Sequence, residues 1–415
     1  MKQSKWLSYE NGLLVLLGIS FGLVAFDRNA VTILTPFIIQ DFELSNAQIG
    51  LLSSGLALAM AISAYFVGAW SDKSGSRKPF LIISVIIFSL CSVLSGIAGS
   101  FMFLIVARVV MGAAEGPFLP VSLSVMNAES SPHRRGLNAG IIQSVFASLM
   151  ATTLAPIVLV YLAELYNWQI AFFITGVPGL ICAFLIWKYV REPKTAESVA
   201  SPEVTPVASG KKTSRFMALQ MLGEHNIKIC CLVACFMVAW FLVGMAFYPL
   251  FFTSYRGFTP TEMSGLMAGL GVGTVVAGFL VPALSDRIGR KPVVIVFCFI
   301  SLLAPLTALY FEGPLWVMGI LLLIGWSGTG VFPLFMAVIP GETVSPKFVA
   351  TSMGLVVCVG EVVGGALAPY LAGLAADQTS LATPIIVTGV CALCAGLISF
   401  ALIETAPGKS QLANA

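Results

Sequence analysis

Runs of about twenty apolar residues recur along this chain, separated by short polar turns, and each run is long enough to cross about 30 Å of hydrocarbon as a helix. Twelve such runs are predicted, over residues 12–34, 47–71, 79–99, 101–126, 136–162, 168–190, 227–254, 261–285, 292–311, 314–340, 347–375 and 382–404. Lipid offers no partner to backbone N–H and C=O groups, so a spanning segment must satisfy them internally, as a helix does. Turns this short make successive helices antiparallel neighbours. A membrane β-barrel would instead show alternating segments of about ten residues. The fold class expected is therefore an all-α membrane protein, with twelve transmembrane helices in two pseudo-symmetric six-helix bundles.

Composition agrees. The 415 residues are 58% hydrophobic and 10% charged, whereas a soluble domain carries about 25% charged residues to keep its surface in water. The placement of charge says more than the net +3. Of the 22 Lys and Arg residues, 19 fall on one side of the expected topology. They lie at the two termini and in the loops after helices 2, 4, 6, 8 and 10. Arg256 alone lies in a loop on the other side, and Arg28 and Arg108 lie inside helices. The positive-inside rule then puts both termini in the cytoplasm, in agreement with an even number of spans. The expected location is the inner (cytoplasmic) membrane. The first apolar run is followed by no A-x-A cleavage pattern and reads as a retained helix.

Nine cysteines lie mostly within helices, among them Cys91, Cys182, Cys298 and Cys358, and Cys391 and Cys394 form a CxxC inside the last one. They read as small apolar packing residues. With two histidines in the chain, His133 and His225, no metal or other cofactor is expected.

One polar stretch divides the chain. Residues 191–226 are rich in Pro, Ser, Thr, Ala and Lys in their middle, the composition of a flexible linker. The expected organisation is a first bundle over 1–190, a cytoplasmic linker over 191–226 and a second bundle over 227–415.

The halves share a repeat. After helix 2 the chain reads SDKSGSRKP from Ser71, and after helix 8 it reads SDRIGRKP from Ser285. The step along the chain from Asp72 to Asp286 equals that from Gly75 to Gly289. It equals also the step from Pro132 to Pro346, in the turns after helices 4 and 10. Two independent loops with one offset mark an internal duplication, the signature of secondary transporters. In these loops Gly75 and Gly289 allow a tight turn. Asp72 and Asp286 can meet a helix N-terminus or a nearby Arg. With Arg77, Lys78, Arg290 and Lys291 they form a candidate gate that locks one face shut. The plainer reading is positive-inside charge on a short loop.

The duplicated Asp–x–x–Gly–basic loop, the twelve helices and the central linker resemble the major facilitator superfamily over nearly the whole chain. Within it, FDRNAVTILTPFIIQDFELSNAQIGLLSSG and RVVMGAAEGPFLP are similar to the anion:cation symporter family. That resemblance implies the major facilitator fold and transport of sugar acids, phosphate or other small organic anions, typically coupled to protons.

Charges inside a membrane cost about 2.5–3.5 kcal/mol each at a helix centre on insertion scales, so those the chain retains are candidates for function. They are Asp27, Arg28, Arg108, Glu115 and Glu361. Arg108 and Glu115, almost two helical turns apart, project from one helix face about 10 Å apart along the axis. Asp27 and Arg28 are consecutive, point about 100° apart and cannot serve one spot. The resemblance assigns roles. Arg108 and Arg28 face the substrate anion, while Asp27 and Glu115 are the protonatable carboxylates. An Arg fork binds a carboxylate in two places. A carboxylate kept from water can exchange its charge for a proton. Protonating Glu115 would then release Arg108 from an internal ion pair and link the two ligands. The alternative is a permanent ion pair that fixes helix packing.

Glu361 lies one residue before the place of an Asn frequent in the family, which here is Val362. It reads as a further proton site, a ligand for a cationic group, a partner for Arg28, or a packing residue. Gly360, Gly364 and Gly365 let helices approach closely. Helix 2 has Met60 where the family often has Tyr, with Tyr65 lower down, which favours a less polar or aromatic anion over a polyhydroxylated one. Trp240, Phe247, Tyr248 and Phe251 on helix 7 supply rings for it, or are aromatics of the membrane–water interface. Asn138 and Gln143 lie on helix 5, and Gln143 is a candidate donor to substrate.

The function expected is a secondary active transporter, not an enzyme: proton-coupled symport of a small organic anion by alternating access. Its partners are the anion, the proton and the lipid bilayer, with no nucleic acid, and it acts as a monomer. The alternative is proton-antiport export of drugs or metabolites, although the Gly-Pro-x-x-Gly-Gly signature of such exporters is replaced by Thr153-Leu154-Ala155-Pro156. No GxxxxGK[ST] loop supplies ATP-driven transport.

Overall fold

A computed structural model of the chain describes residues 9–74, 76–131, 134–192, 223–344 and 349–406. Twelve helices among them are long and apolar enough to cross a membrane, and the protein is a multi-pass membrane protein. They are α1 (Tyr9–Phe42), α2 (Asn46–Ser74), α3 (Lys78–Gly96), α4 (Phe101–Glu129), α5 (Asn138–Leu165) and α6 (Trp168–Tyr189), followed by α7 (His225–Tyr255), α8 (Pro260–Ile288), α9 (Arg290–Tyr310), α10 (Leu315–Thr343), α11 (Ser352–Gln378) and α12 (Ala382–Ser399). Several outrun the apolar stretches that announce them. The 34 residues of α1 are about 51 Å long at 1.5 Å per residue. Its last turns carry Gln40 and Asp41, which hydropathy alone does not include.

Helix starts repeat between the halves. At α2, Ser45 Oγ accepts from the N–H of Gln48 and Gln48 Oε1 accepts from the N–H of Ser45. Thr259 and Glu262 do the same at α8. Both are capping boxes, and Ser45 and Thr259 are separated by the same step as Asp72 and Asp286. Pro36 in α1 and Pro249 in α7 miss that step by a single position. The duplication therefore reaches the first helix of each half.

The chain forms two compact units, Met1–Ala200 with Gly257–Val272, and Ser201–Arg256 with Gly273–Ala415. In the first, α3 packs on α6, α2 on α4, and α1 on α5 and α6. Its core gathers Leu17, Val24, Val85, Phe88, Phe118 and Val125, and Phe21 stacks on Phe118 at 6.4 Å between ring centroids. In the second, α7 packs on α11 and α12, and α9 on α10 and α12. Gly360 and Gly364 seat α11 against α7: a Cβ on Gly364 would lie 2.6 Å from the Cys235 carbonyl oxygen. Apolar side chains such as Phe66, Met102, Phe184 and Ile320 remain exposed on the outer surfaces, as a lipid-facing protein allows.

Two helices loosen at matching places. α5 forms a π segment over Ser148–Leu154, and α11 forms one over Glu361–Leu367. The two stand at the same step as Pro36 and Pro249, and each is followed by Ala-Pro, Ala155-Pro156 and Ala368-Pro369. Proline has no N–H for the carbonyl four residues back and crowds it, which favours the wider turn just before it.

Candidate functional site

The intramembrane charges of the first unit divide into two pairings. Asp27 on α1 turns toward α3 and α6. Its Oδ1 accepts from Ser92 Oγ at 2.7 Å and Thr175 Oγ1 at 3.3 Å, while Oδ2 is buried without a partner. Ser92 and Thr175 lie 2.7 Å apart. Arg108 on α4 is 1% exposed. Its Nη1 donates to the backbone carbonyl of Asp27 at 3.0 Å, and its guanidinium lies 5.1 Å from the Phe172 ring centroid, within cation–π range. Its Nε and Nη2 are buried without partners.

Arg28 turns the other way, as two consecutive helical residues must. Its Nε donates to Glu115 Oε2 at 3.1 Å, with the Arg28 side chain 32% exposed and that of Glu115 fully buried. Glu115 Oε1 has no partner. The bond uses Nε, and among the described residues nothing engages Nη1 or Nη2 of Arg28. This corrects one expectation. Glu115 is ion-paired with Arg28, and among the described residues no ion pair joins it to Arg108. The two α4 residues stand about two turns apart, and Arg28 from α1 takes the acid first.

The other expected site residues are spread out. Gln143 is exposed within a π segment over Ile141–Phe146. Asn138 is buried and donates to Glu10 and Ser130, a packing role. Tyr248 is fully buried; its hydroxyl lies beside Thr388, whose own hydroxyl donates to the Ile385 carbonyl. Glu361 opens the α11 π segment, with its carboxylate folded over Gly365. Trp240, Phe247, Tyr248 and Phe251 are all buried in the second unit, so none of these rings lies on the outer surface.

Of the candidate gate residues, Gly75 and the side chain of Asp72 lie outside the described residues, as do Pro132, His133, Pro346, most of the linker and the side chain of Tyr65. The second copy is fully described. Gly289 has φ +114°, and a Cβ there would lie 2.6 Å from Glu404 Oε2, so glycine is required twice over. Arg290 donates to Asp286, Ser285 and Glu342, and Thr405 Oγ1 donates to Glu342 Oε2 at 2.6 Å. The N–H groups of Arg290 and Lys291, which begin α9, donate to Glu404 at 2.8 and 3.2 Å. In the first unit, the N–H groups of Arg77 and Lys78 donate to Glu192 in the same way. The acid at each helix start is thus Glu192 or Glu404, and Asp286 instead pairs with Arg290.

Ser92, Thr175, Phe172, Glu192, Glu342 and Glu404 were not apparent from sequence. Serine and threonine in an apolar helix carry no distinguishing signal. Glu192 and Glu404 did carry one: each follows the last helix of its half, at nearly the step that separates the two loop motifs.

Comparison with known proteins gives the family and fold of the chain. Residues 17–227 and 229–415 match the family model described as Major Facilitator Superfamily. The chain is 27% identical over 372 residues to the protein named "Probable 4-methylmuconolactone transporter" of Cupriavidus pinatubonensis (strain JMP 134 / LMG 1197), covering 88% of this chain and 81% of that one. It is 27% identical over 375 residues to the 3-(3-hydroxy-phenyl)propionate transporter of Escherichia coli (strain K12), covering 87% and 85%. Its fold matches that of a bacterial homologue of the human lysosomal transporter Spinster with a TM-score of 0.76 at 20% identity, over 96% of this chain and 98% of that one.

Proposed function

The chain belongs to the Major Facilitator Superfamily, and from that premise we propose that it carries a small organic anion across the cytoplasmic membrane together with protons, by alternating access. It is a transporter and not an enzyme, as its family and relatives are. The observation that carries the finer reading is the Arg28–Glu115 pair. Arg28 is the more exposed of the two intramembrane arginines of the first unit, and its Nη1 and Nη2 are open to a bidentate carboxylate. Glu115 holds the same guanidinium through Nε and keeps one buried oxygen without a partner. A proton on that oxygen ends the acid's claim on Arg28, so an incoming anion no longer competes with it. Proton and anion binding are then linked, each favouring the other.

Arg108 and Asp27 support this site from behind. Arg108 anchors α4 to the α1 backbone, and Asp27 is a second carboxylate with a buried oxygen that has no partner. Relatives named for a muconolactone and for a hydroxyphenylpropionate support an organic acid as cargo. The lysine and arginine distribution supports cytoplasmic termini.

Uptake by purified protein in proteoliposomes tests the reading. Under an inward proton gradient, a labelled aryl or alkyl carboxylate should accumulate, and Arg28→Ala should abolish accumulation. Accumulation driven only by an opposed gradient would favour export by antiport and overturn symport.

A further inference from the structure

The last turn of α6 carries positive charge that the first unit does not neutralise. Tyr9, at the start of α1, packs on the core of that unit and holds Arg191 twice over. Its hydroxyl accepts from the Arg191 N–H at 2.9 Å, and its ring faces the guanidinium at 4.6 Å. Lys188, three residues earlier, stands over the ring of Tyr189 at 5.2 Å. The acids nearest in the chain are committed elsewhere. Glu10, beside Tyr9, accepts from Ser131 and Asn138 and pairs with Arg134. Glu192, beside Arg191, accepts from the N–H groups of Arg77 and Lys78 at the start of α3. Among the described residues no ion pair joins a carboxylate to Lys188 or Arg191, and both residues are exposed.

An exposed apolar stripe runs down α6 to these cations. Val177, Ile181, Phe184 and Lys188 follow one another at helical spacing on one face, and all four are exposed. From Val177 to Lys188 the axis advances about 16 Å at 1.5 Å per residue, close to half the hydrocarbon thickness of a bilayer, about 30 Å. Trp187 flanks the stripe, 5.8 Å from Phe184 between ring centroids. The stripe has the length of one leaflet and ends in two uncompensated cations. Positive charge and aromatic rings recur at any membrane surface. This place differs in that a tyrosine packed on the core holds Arg191 in position, so little rotamer freedom is lost when an anion arrives. We propose that this end of α6 is a binding site for one anionic phospholipid. Its phosphate lies between Lys188 and Arg191, both suited to phosphate, and an acyl chain lies along Phe184, Ile181 and Val177. The net negative headgroup is attracted by the two cations, whereas a zwitterionic lipid brings an ammonium of its own and loses most of that attraction. On the orientation proposed above the site lies in the cytoplasmic leaflet.

Lipid titrated into the full-length protein in detergent, with bound lipid counted by native mass spectrometry, tests it. Phosphatidylglycerol should occupy one site about tenfold more tightly than phosphatidylcholine. The double variant Lys188→Gln, Arg191→Gln should abolish that preference, weakening phosphatidylglycerol about tenfold, about 1.4 kcal/mol, and leaving phosphatidylcholine within twofold. Tyr9→Leu keeps both charges but removes what holds Arg191, and should weaken phosphatidylglycerol about threefold. Lys228→Gln is the control. Lys228 is an exposed cation near the start of α7 with no ring contact among the described residues, and its loss should leave binding within twofold. Phosphatidylcholine as tight as phosphatidylglycerol, a double variant that binds as the native protein does, or an equal loss in Lys228→Gln would each overturn the site in favour of unspecific surface charge. Inorganic phosphate has no chain to lay on the stripe and should not displace the lipid. Displacement would make this a site for a free anion and overturn the lipid as its occupant.

Discussion

Arg28 donates through Nε to Glu115 across 3.1 Å, with the arginine partly open to solvent and the acid fully buried. The asymmetry separates two roles that residue type alone would merge. On the proposed reading, the partly exposed Arg28 meets the cargo and the buried Glu115 takes the proton.

Replacing Glu115 by Gln removes the competing charge and the proton acceptor together. Anion affinity should rise severalfold, and exchange of labelled for unlabelled anion should persist. Accumulation should cease to follow an imposed proton gradient. Proteoliposome exchange and gradient-driven uptake, measured side by side, check this. Gradient-driven accumulation at the native level would sink the assignment of Glu115.

The two arginines of the first unit should fail differently. Arg28→Ala should lower anion affinity about tenfold to a hundredfold, the worth of about 1.5–3 kcal/mol for bonds to a charged group, and lower the melting temperature less than Arg108→Ala does, because Glu115 can take up a proton once its partner is gone. Arg108→Ala should lower the melting temperature markedly, since Arg108 is buried and its loss strips a donor from the Asp27 carbonyl and a cation from the Phe172 ring. Thermal unfolding and equilibrium binding on the same preparations separate the two. Equal melting temperatures would refute the supporting role of Arg108.

Ser92→Ala should disturb Asp27 more than Thr175→Val. Ser92 gives the shorter bond, 2.7 Å against 3.3 Å, and its loss leaves a buried carboxylate oxygen with one weak donor, at a cost of about 1–3 kcal/mol. The pH profile of uptake should shift in Ser92→Ala while the anion Kd stays within about twofold, because Arg28 is untouched. An unshifted profile would show that Asp27 takes no part in the proton step.

At the loop between α8 and α9, Gly289→Ala should destabilise the second unit, because a positive φ disfavours a Cβ by about 1–2 kcal/mol and that Cβ meets Glu404. Glu404→Gln keeps the shape and removes the charge at the start of α9, with a smaller expected loss of about 0.3–1 kcal/mol. Melting temperatures of the two variants should therefore fall in that order. The reverse order would mean that the carboxylate, not the turn, holds the loop.

Hydropathy and the constant step between the two loop motifs made the twelve helices and the duplication legible, because span length and loop spacing are one-dimensional quantities. The five intramembrane charges were legible for the same reason: each is conspicuous against an apolar run. Their partners were not. Which acid reaches Arg28 depends on how α1 and α4 are rotated against each other, and the side chains that hold Asp27 come from α3 and α6. Ser92 and Thr175 look like any small residue in a tightly packed helix. Trp240 and Trp326, three helices apart in the chain, become a pair only when α7 and α10 pack together.

The π segments of α5 and α11 sit at the same register of the duplicated unit, each just ahead of an Ala-Pro step. A π turn holds one residue more than an α turn can accommodate. If that residue passes along the helix, every side chain it crosses swings about 100° around the axis while the backbone path barely bends. In α11 that segment begins at Glu361 itself, whereas in α5 Gln143 lies in a separate π segment over Ile141–Phe146, one turn earlier.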